Sequence, residues 1–198
     1  PEELDFQKRF AFAQLLRNGI TTALPIASLF YRAWGETVAE FEAAAAAAGE
    51  LGLRVWLGPA YRSGGIVCTA PGKLEPQFDE ARGMQGLDDA LAFADRIAGS
   101  FDGLVQPMLA PDRVETCTLP LLRRTMAASA ERGLPVRLHM AQGRMERKTV
   151  EALHGTTAPR WLAANGLLND RLIAPHAVEA TPEDLQLYAD HGVTIAHC

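Results

Sequence analysis

Four times along the chain an alanine- and leucine-rich amphipathic stretch runs into a glycine and at once into a short apolar or β-branched run: LLRNGITTALP, GELGLRVWLGPAY, SAERGLPVRLHMA and YADHGVTIAHC. Such a unit needs a left-handed residue that ends a helix and turns the chain straight into a strand. Gly19, Gly52, Gly133 and Gly192 suit that place because they carry no Cβ. Two further apolar runs, DGLVQPMLAP near residues 102–111 and RLIAPHAV near 171–178, bring the expected strands to six. Each is short and nearly continuous in apolar character, as in a parallel sheet covered on both faces. Between them the pattern predicts helices over about 4–18, 36–50, 86–99, 118–132, 144–165 and 181–191. The last has the clearest start, with Thr181 as N-cap, Pro182 in the first helical position and Asp184 where a negative charge meets the helix dipole.

Six alternating units predict an α/β fold with a parallel sheet. A Rossmann sheet and a (β/α)8 TIM-type barrel both fit, but no GxGxxG follows the first strand and no GxxxxGK[ST] occurs, which disfavours a nucleotide-binding doubly wound sheet. The segment 62–85, with RSGG and APGK, is too long for an ordinary connection and is expected to be an active-site loop. At 198 residues, 48% of them hydrophobic and 22% charged, the chain is one domain with enough apolar side chain for a core. Its net charge of −5 is scattered in both signs, leaving no basic stripe for nucleic acid. No run of apolar residues is long enough for a membrane span, and the alanines of 43–48 form helix. Cys68, Cys117 and Cys198 stand far apart with no CxxC pair, which suits neither a disulfide framework nor a thiolate zinc site and fits a reducing, cytoplasmic compartment. The chain opens on PEELDF without a methionine and stops at TIAHC inside an expected strand, so a piece of a longer polypeptide is expected.

Three histidines end three successive strands: His139 in VRLHMAQG, His176 in LIAPHAVEA and His197 in TIAHC. In a parallel barrel the C-terminal strand ends form the catalytic face, so all three converge on one rim. Imidazole is the commonest metal ligand and the usual proton shuttle. A single histidine there would be an ordinary hydrogen-bonded rim residue; three in succession point to chemistry. His191, in a last helical turn, and His154, inside a helical region, are read as structural.

The order RNGITT, then HMAQ at a strand end, then a histidine 37 residues after His139, then GVTIAHC, resembles the amidohydrolase superfamily. More narrowly it resembles the branch of guanine and cytosine deaminases, triazine hydrolases and related chlorohydrolases, which shows GxTT at its second barrel strand, HxxE at the fifth, a lone His at the sixth and HCP at the seventh. The resemblance covers the whole chain and implies barrel strands two to seven. It implies His139 as the strand-five metal ligand, His176 as a metal ligand or partner of the hydrolytic water, and His197 as a residue near the substrate. It implies one divalent metal, zinc first and iron as the alternative, that lowers the pKa of bound water to about 7 for attack on an sp2 carbon. The family's first-strand HxH and eighth-strand Asp do not occur in the chain. Gln142 stands where the deaminases carry a proton-shuttling glutamate; its amide can hydrogen-bond but cannot take a proton. His176 is then the candidate base, with Glu179 a distant second.

Tyr31, Arg32 and Trp34 follow the first strand, and Tyr61 and Arg62 the second; such pairs can stack a flat ring and bind an oxygen, although packing explains the aromatics as well. Arg62 is the stronger candidate because Ser63 and Gly64 follow it and glycine lets backbone approach a ligand. Arg137 shares a strand face with His139 and is read as a structural ion pair, and Cys68 and Cys198 as packing residues. The resulting expectation is a metal-dependent hydrolase acting on a small, flat, nitrogen-rich molecule, monomeric or a homo-oligomer. Hydrolysis of a linear amide or a C–Cl bond and a catalytically silent binding barrel are the alternatives. A metal-free aldolase-type barrel would need a strand-end lysine, which none of the strands supplies.

Overall fold

Alternation along a strand decides which side chains meet the helices and which face inward, and here it orders the whole sheet. The computed structural model describes residues 2–26, 37–71 and 73–197; Trp34, Tyr31, Arg32 and Cys198 lie outside the described residues. The elements run α1 (Glu2–Arg17), β1 (Thr22–Ala23), α2 (Val38–Leu51), β2 (Arg54–Leu57), β3 (Ala60–Tyr61), β4 (Gly64–Ala70), β5 (Lys73–Phe78) and α3 (Glu80–Ile97). They continue with β6 (Val105–Pro107), β7 (Ala110–Pro111), α4 (Leu119–Arg132), β8 (Val136–Arg137), α5 (Arg144–His154), α6 (Ala158–Ala164), β9 (Leu172–Pro175), α7 (Pro182–His191) and β10 (Thr194–Ala196).

Strand β2 lies between β1 and β6, β3 pairs with β7, and β9 lies between β8 and β10, all parallel. The two halves join where the Leu109 amide donates to the Pro135 carbonyl and the Arg137 amide to the Leu109 carbonyl, both at 2.9 Å. With β2 and β3, and β6 and β7, as interrupted segments of single strands, six parallel strands stand side by side in chain order. Gly58, at one interruption, is required there: a Cβ would stand 2.0 Å from the Met108 carbonyl oxygen.

Val55 and Leu57 of β2 pack with Phe41 of α2 and Phe93 of α3 in one apolar cluster. Val136 and Leu138, with Leu172 and Ala174, pack against α4 to α7 in a second, larger one. These residues form the helix-facing side of the wall, so their alternates Arg137 and His139 face inward. Gly52 and Gly133 close α2 and α4 at φ +77° and +66°, as the glycine-to-strand pattern requires. Thr181 caps α7 through Oγ1, which accepts from the Asp184 amide, while the Asp184 carboxylate accepts from the Thr181 amide.

Three expectations change. Residues 62–85 are no open loop: β4 and β5 form an antiparallel hairpin, registered from Gly64 opposite Phe78 to Ala70 opposite Lys73, and α3 begins at Glu80. Pro76 sits on β5, whose outer edge needs no ladder donor, and its presence disguised the strand. The helix expected over 144–165 is two, because Gly155 at φ +70° ends α5 and Thr157 with Pro159 starts α6. Cys68 is exposed on the hairpin rather than packed.

Candidate active site

Beyond the last inward positions of neighbouring strands stand Arg62, Asp112 and His139, in that order around the rim. His139 is tied back to its neighbour: its Nδ1 lies 2.7 Å from the Asp112 carbonyl oxygen. A carbonyl only accepts, so Nδ1 carries the proton and Nε2 keeps its lone pair, the tautomer a metal ligand needs. Burial, the largest influence, holds the His139 pKa below the usual imidazole range, and the Arg137 charge acts in the same direction. The ring is therefore neutral at neutral pH.

His176 follows β9, and its ring centroid lies 5.5 Å from that of His139 with the planes 29° apart. Strict alternation from Leu172 and Ala174 would turn His176 toward the helices, but it adopts φ +75° and Ala177 φ +54°. A left-handed conformation at a residue with a Cβ costs on the order of 1–3 kcal/mol and is held here by its surroundings: the His176 amide donates to the Ala196 carbonyl at 2.9 Å. Ala141, two residues past His139, is also left-handed at φ +50°. Three of the five left-handed non-glycine positions among the described residues thus cluster at these two strand ends.

The remaining expected residues divide. Arg62 reaches the rim, its Nη1 3.5 Å from Asp112 Oδ2. Tyr61 points to the other face, buried against Gly86, and shares a 3.0 Å hydrogen bond with Thr125 of α4, so it packs helices onto the wall and cannot stack a substrate in the mouth. Gly64 is glycine for the hairpin, since a Cβ would stand 1.9 Å from the Gln77 carbonyl oxygen, and not for a ligand. Gln142 is half-buried at the start of the loop into α5. His197 follows β10 and is exposed, with no ring contact to the histidine pair among the described residues. Arg137 is buried and donates to the Pro25 carbonyl at 3.0 Å, bracing the wall toward β1. Glu179 lies 3.7 Å from Arg144. His154 stacks on Trp161 at 4.0 Å, and His191 contacts the Leu187 carbonyl of its own helix.

Three acidic residues were not singled out from sequence. Asp112 supplies the carbonyl for His139, and Oδ2 accepts from Thr116 and Arg62. Glu146 accepts from the amides of Ala141 and Gln142. Glu115, 7% exposed, is pushed up to about 7 by burial, with the nearby Glu146 acting in the same direction. Only Asp112 had a readable signal, its place directly after the apolar run LVQPMLAP. Two imidazoles with one free ring nitrogen fixed by hydrogen bonding suit a borderline ion such as zinc. They are a partial ligand set: among the described residues no group of three or more His, Cys, Asp or Glu is placed to hold a metal ion.

The profile of the amidohydrolase family matches residues 1–198. The chain belongs to the amidohydrolase family. It is 31% identical over 197 residues to a 5-methylthioadenosine/S-adenosylhomocysteine deaminase of Pyrococcus horikoshii, covering 100% of this chain and 41% of that protein. With 5-methylthioadenosine/S-adenosylhomocysteine deaminase 2 of Archaeoglobus fulgidus it shares 28% over 188 residues, 95% of this chain and 39% of that one. Chains of known structure share the fold. A mutant of the Arthrobacter aurescens atrazine chlorohydrolase complexed with zinc and atraton superposes with a TM-score of 0.81 at 23% identity, over 100% of this chain and 42% of that one. A zinc-bound adenosine deaminase of Xanthomonas campestris gives 0.77 at 23% identity, over 100% and 40%. The chain thus spans about two fifths of the length of the relatives it matches.

Proposed function

We propose that these 198 residues are barrel strands two to seven of one metal-dependent hydrolase domain in a longer polypeptide, catalysing hydrolytic deamination or related C–N cleavage on a small nitrogen heterocycle. The observation that carries the reading is the pair His139 and His176 on adjacent strand ends, centroids 5.5 Å apart, with the outer nitrogen of His139 tied to the Asp112 carbonyl. The deaminase names of the sequence relatives support the reaction class, and the zinc in two structural relatives supports zinc over iron.

In this reading His139 and His176 hold the metal, which when bound supplies a water of lowered pKa. If His176 instead leaves the metal to other ligands, its free ring nitrogen, on the strand end next to His139, is the candidate to hold a proton during leaving-group departure. Gln142 orients the water or substrate through its amide, and Arg62, braced by Asp112, binds an electronegative edge of the substrate. Trp34 and His197 complete the substrate side. The partner is a small molecule rather than nucleic acid or membrane, and among the described residues no helix is long and apolar enough to cross a membrane. The free thiols Cys68 and Cys117 fit the cytoplasm, and a homo-oligomer is compatible with the surface. Gln142 favours a second reading, displacement of chloride or cleavage of a linear amide, because neither needs a glutamate to protonate a ring nitrogen.

The test is the metal content of the full-length polypeptide by plasma mass spectrometry beside a His139→Ala variant shown to fold by circular dichroism. About one zinc per chain, lost in the variant, supports the reading and justifies an ammonia-release screen of purines, pyrimidines, pterins and triazines, with chloride release as its control. No metal in either protein after reconstitution overturns it.

A further inference from the structure

Glu146, in the first turn of α5, is the acceptor for the loop that follows His139. Its Oε1 takes the Ala141 amide at 3.2 Å and its Oε2 the Gln142 amide at 2.9 Å, and the Gly143 amide acts on the same carboxylate in the direction that favours its charged form. The Ala141 carbonyl in turn accepts the Glu179 amide at 2.9 Å, from the loop that carries His176 and Ala177. One carboxylate therefore anchors the left-handed Ala141 and, through it, the next strand's loop. Glu115 approaches from the 3-10 turn Val114–Thr116, which packs on α5. Its Oε2 is buried with no hydrogen-bond partner among the described residues. The Tyr188 hydroxyl of α7, near Glu146, is buried in the same way.

We infer that Glu146 is a positioning residue for the active site, locking the Ala141–Gly143 segment that carries Gln142 and, through Glu179, the His176 loop, with Glu115 as the buried carboxyl that backs it. The charged groups facing Glu115 are Glu146 on α5 and Arg113 and Asp112 on its own turn; β4, also packed on the turn, has Cys68 as its one titratable residue. Burial raises the Glu146 carboxyl as well, and pushes Glu115 up to about 7, so below neutrality Glu115 holds a proton and adds no charge beside Glu146. Above neutrality a second negative charge faces Glu146 and the loop loosens.

The test is amide hydrogen exchange on the full-length polypeptide at about pH 6 and about pH 8.5, as protection relative to intrinsic rates, for wild type, Glu146→Ala, Glu146→Gln and Glu115→Gln. Glu146→Ala is expected to lower protection of Ala141, Gln142 and Gly143 by about tenfold or more with α4 unchanged, and Glu146→Gln to rescue part of it. Wild type is expected to lose protection severalfold at the higher pH, and Glu115→Gln to keep it. Loop protection unchanged in Glu146→Ala overturns the positioning role, and an equal high-pH loss in Glu115→Gln overturns the part given to Glu115. If Glu146→Ala fails to fold, the near-isosteric glutamine variants carry the same test.

The effect on rate rests on the proposed hydrolase reading: in Glu146→Ala, kcat for ammonia release should fall about tenfold or more with KM within about twofold. A wild-type protein that releases no ammonia counts against that reading alone, because exchange tests the loop without turnover. A variant that keeps wild-type kcat counts against positioning alone.

Discussion

At the scale of single residues, the site is built from side chains and backbone groups held where ordinary folding would not leave them. His139 has its tautomer chosen by a backbone carbonyl, and His176 is aimed by a left-handed backbone. Glu115 is a buried carboxyl whose Oε2 has no hydrogen-bond partner among the described residues, and its cost appears in the pH dependence of folding. Its folded pKa of about 7 lies above the ordinary 4.5, so the folded state binds more protons than the unfolded state between those values. Stability is therefore expected to fall as pH rises through that window, by up to about 3 kcal/mol. Chemical denaturation of wild type and Glu115→Gln across about pH 4.5–8 reads this directly: the variant curve should be flatter and the proteins should differ most at the alkaline end. Parallel curves would mean that Glu115 is not buried as a charged group above neutrality. Much of this scale is invisible in sequence, since Glu115 and Glu146 look like any acidic residues near helix starts, and what distinguishes them is neighbours from other segments.

At the scale of elements, strand parity was the most informative quantity. Val55, Leu57 and Tyr61 share one parity and face helices, so Arg62 faces the mouth; Tyr61 and Arg62, expected as a pair on the substrate side, are separated by that alternation, and it is the buried Tyr61–Thr125 hydrogen bond that takes Tyr61 out of the site. The hairpin β4–β5 was harder to read, because Pro76 hides one strand and only pairing across the turn reveals the other. Its dependence on Gly64 is sharp. Gly64→Ala places a methyl 1.9 Å from the Gln77 carbonyl oxygen and is expected to cost about 1–3 kcal/mol in a denaturant titration. Gly65→Ala, beside it with open space, should cost well under half as much. At α7, Thr181→Ala removes the cap that accepts from Asp184 and should cost about 1 kcal/mol, measured in the same way.

At the scale of the whole molecule, strands placed side by side in chain order bring residues far apart in sequence to one rim: Arg62, Asp112, His139 and His176. A metal held by His139 and His176 would cross-link β8 and β9, so its removal should be felt globally. Chelation of the full-length protein is expected to lower its thermal midpoint by several degrees, consistent with about 4 kcal/mol for metal at a thousand times its Kd, while His139→Ala should be insensitive to chelator. An unchanged midpoint in wild type would separate the histidines from metal binding. The sequence by itself determined the alternation of helix and strand, the glycine-closed helix ends, the inward parity of His139 and Arg62, and the family motifs, because each is a local pattern set by backbone geometry and hydrophobic period. Only the tertiary structure decided that His176 turns toward His139, that Gly64 serves the hairpin and that Glu115, on a turn packed against α5, lies near enough to Glu146 to feel its charge. These depend on burial and on hydrogen-bond partners contributed by other strands and helices, which no window of sequence contains.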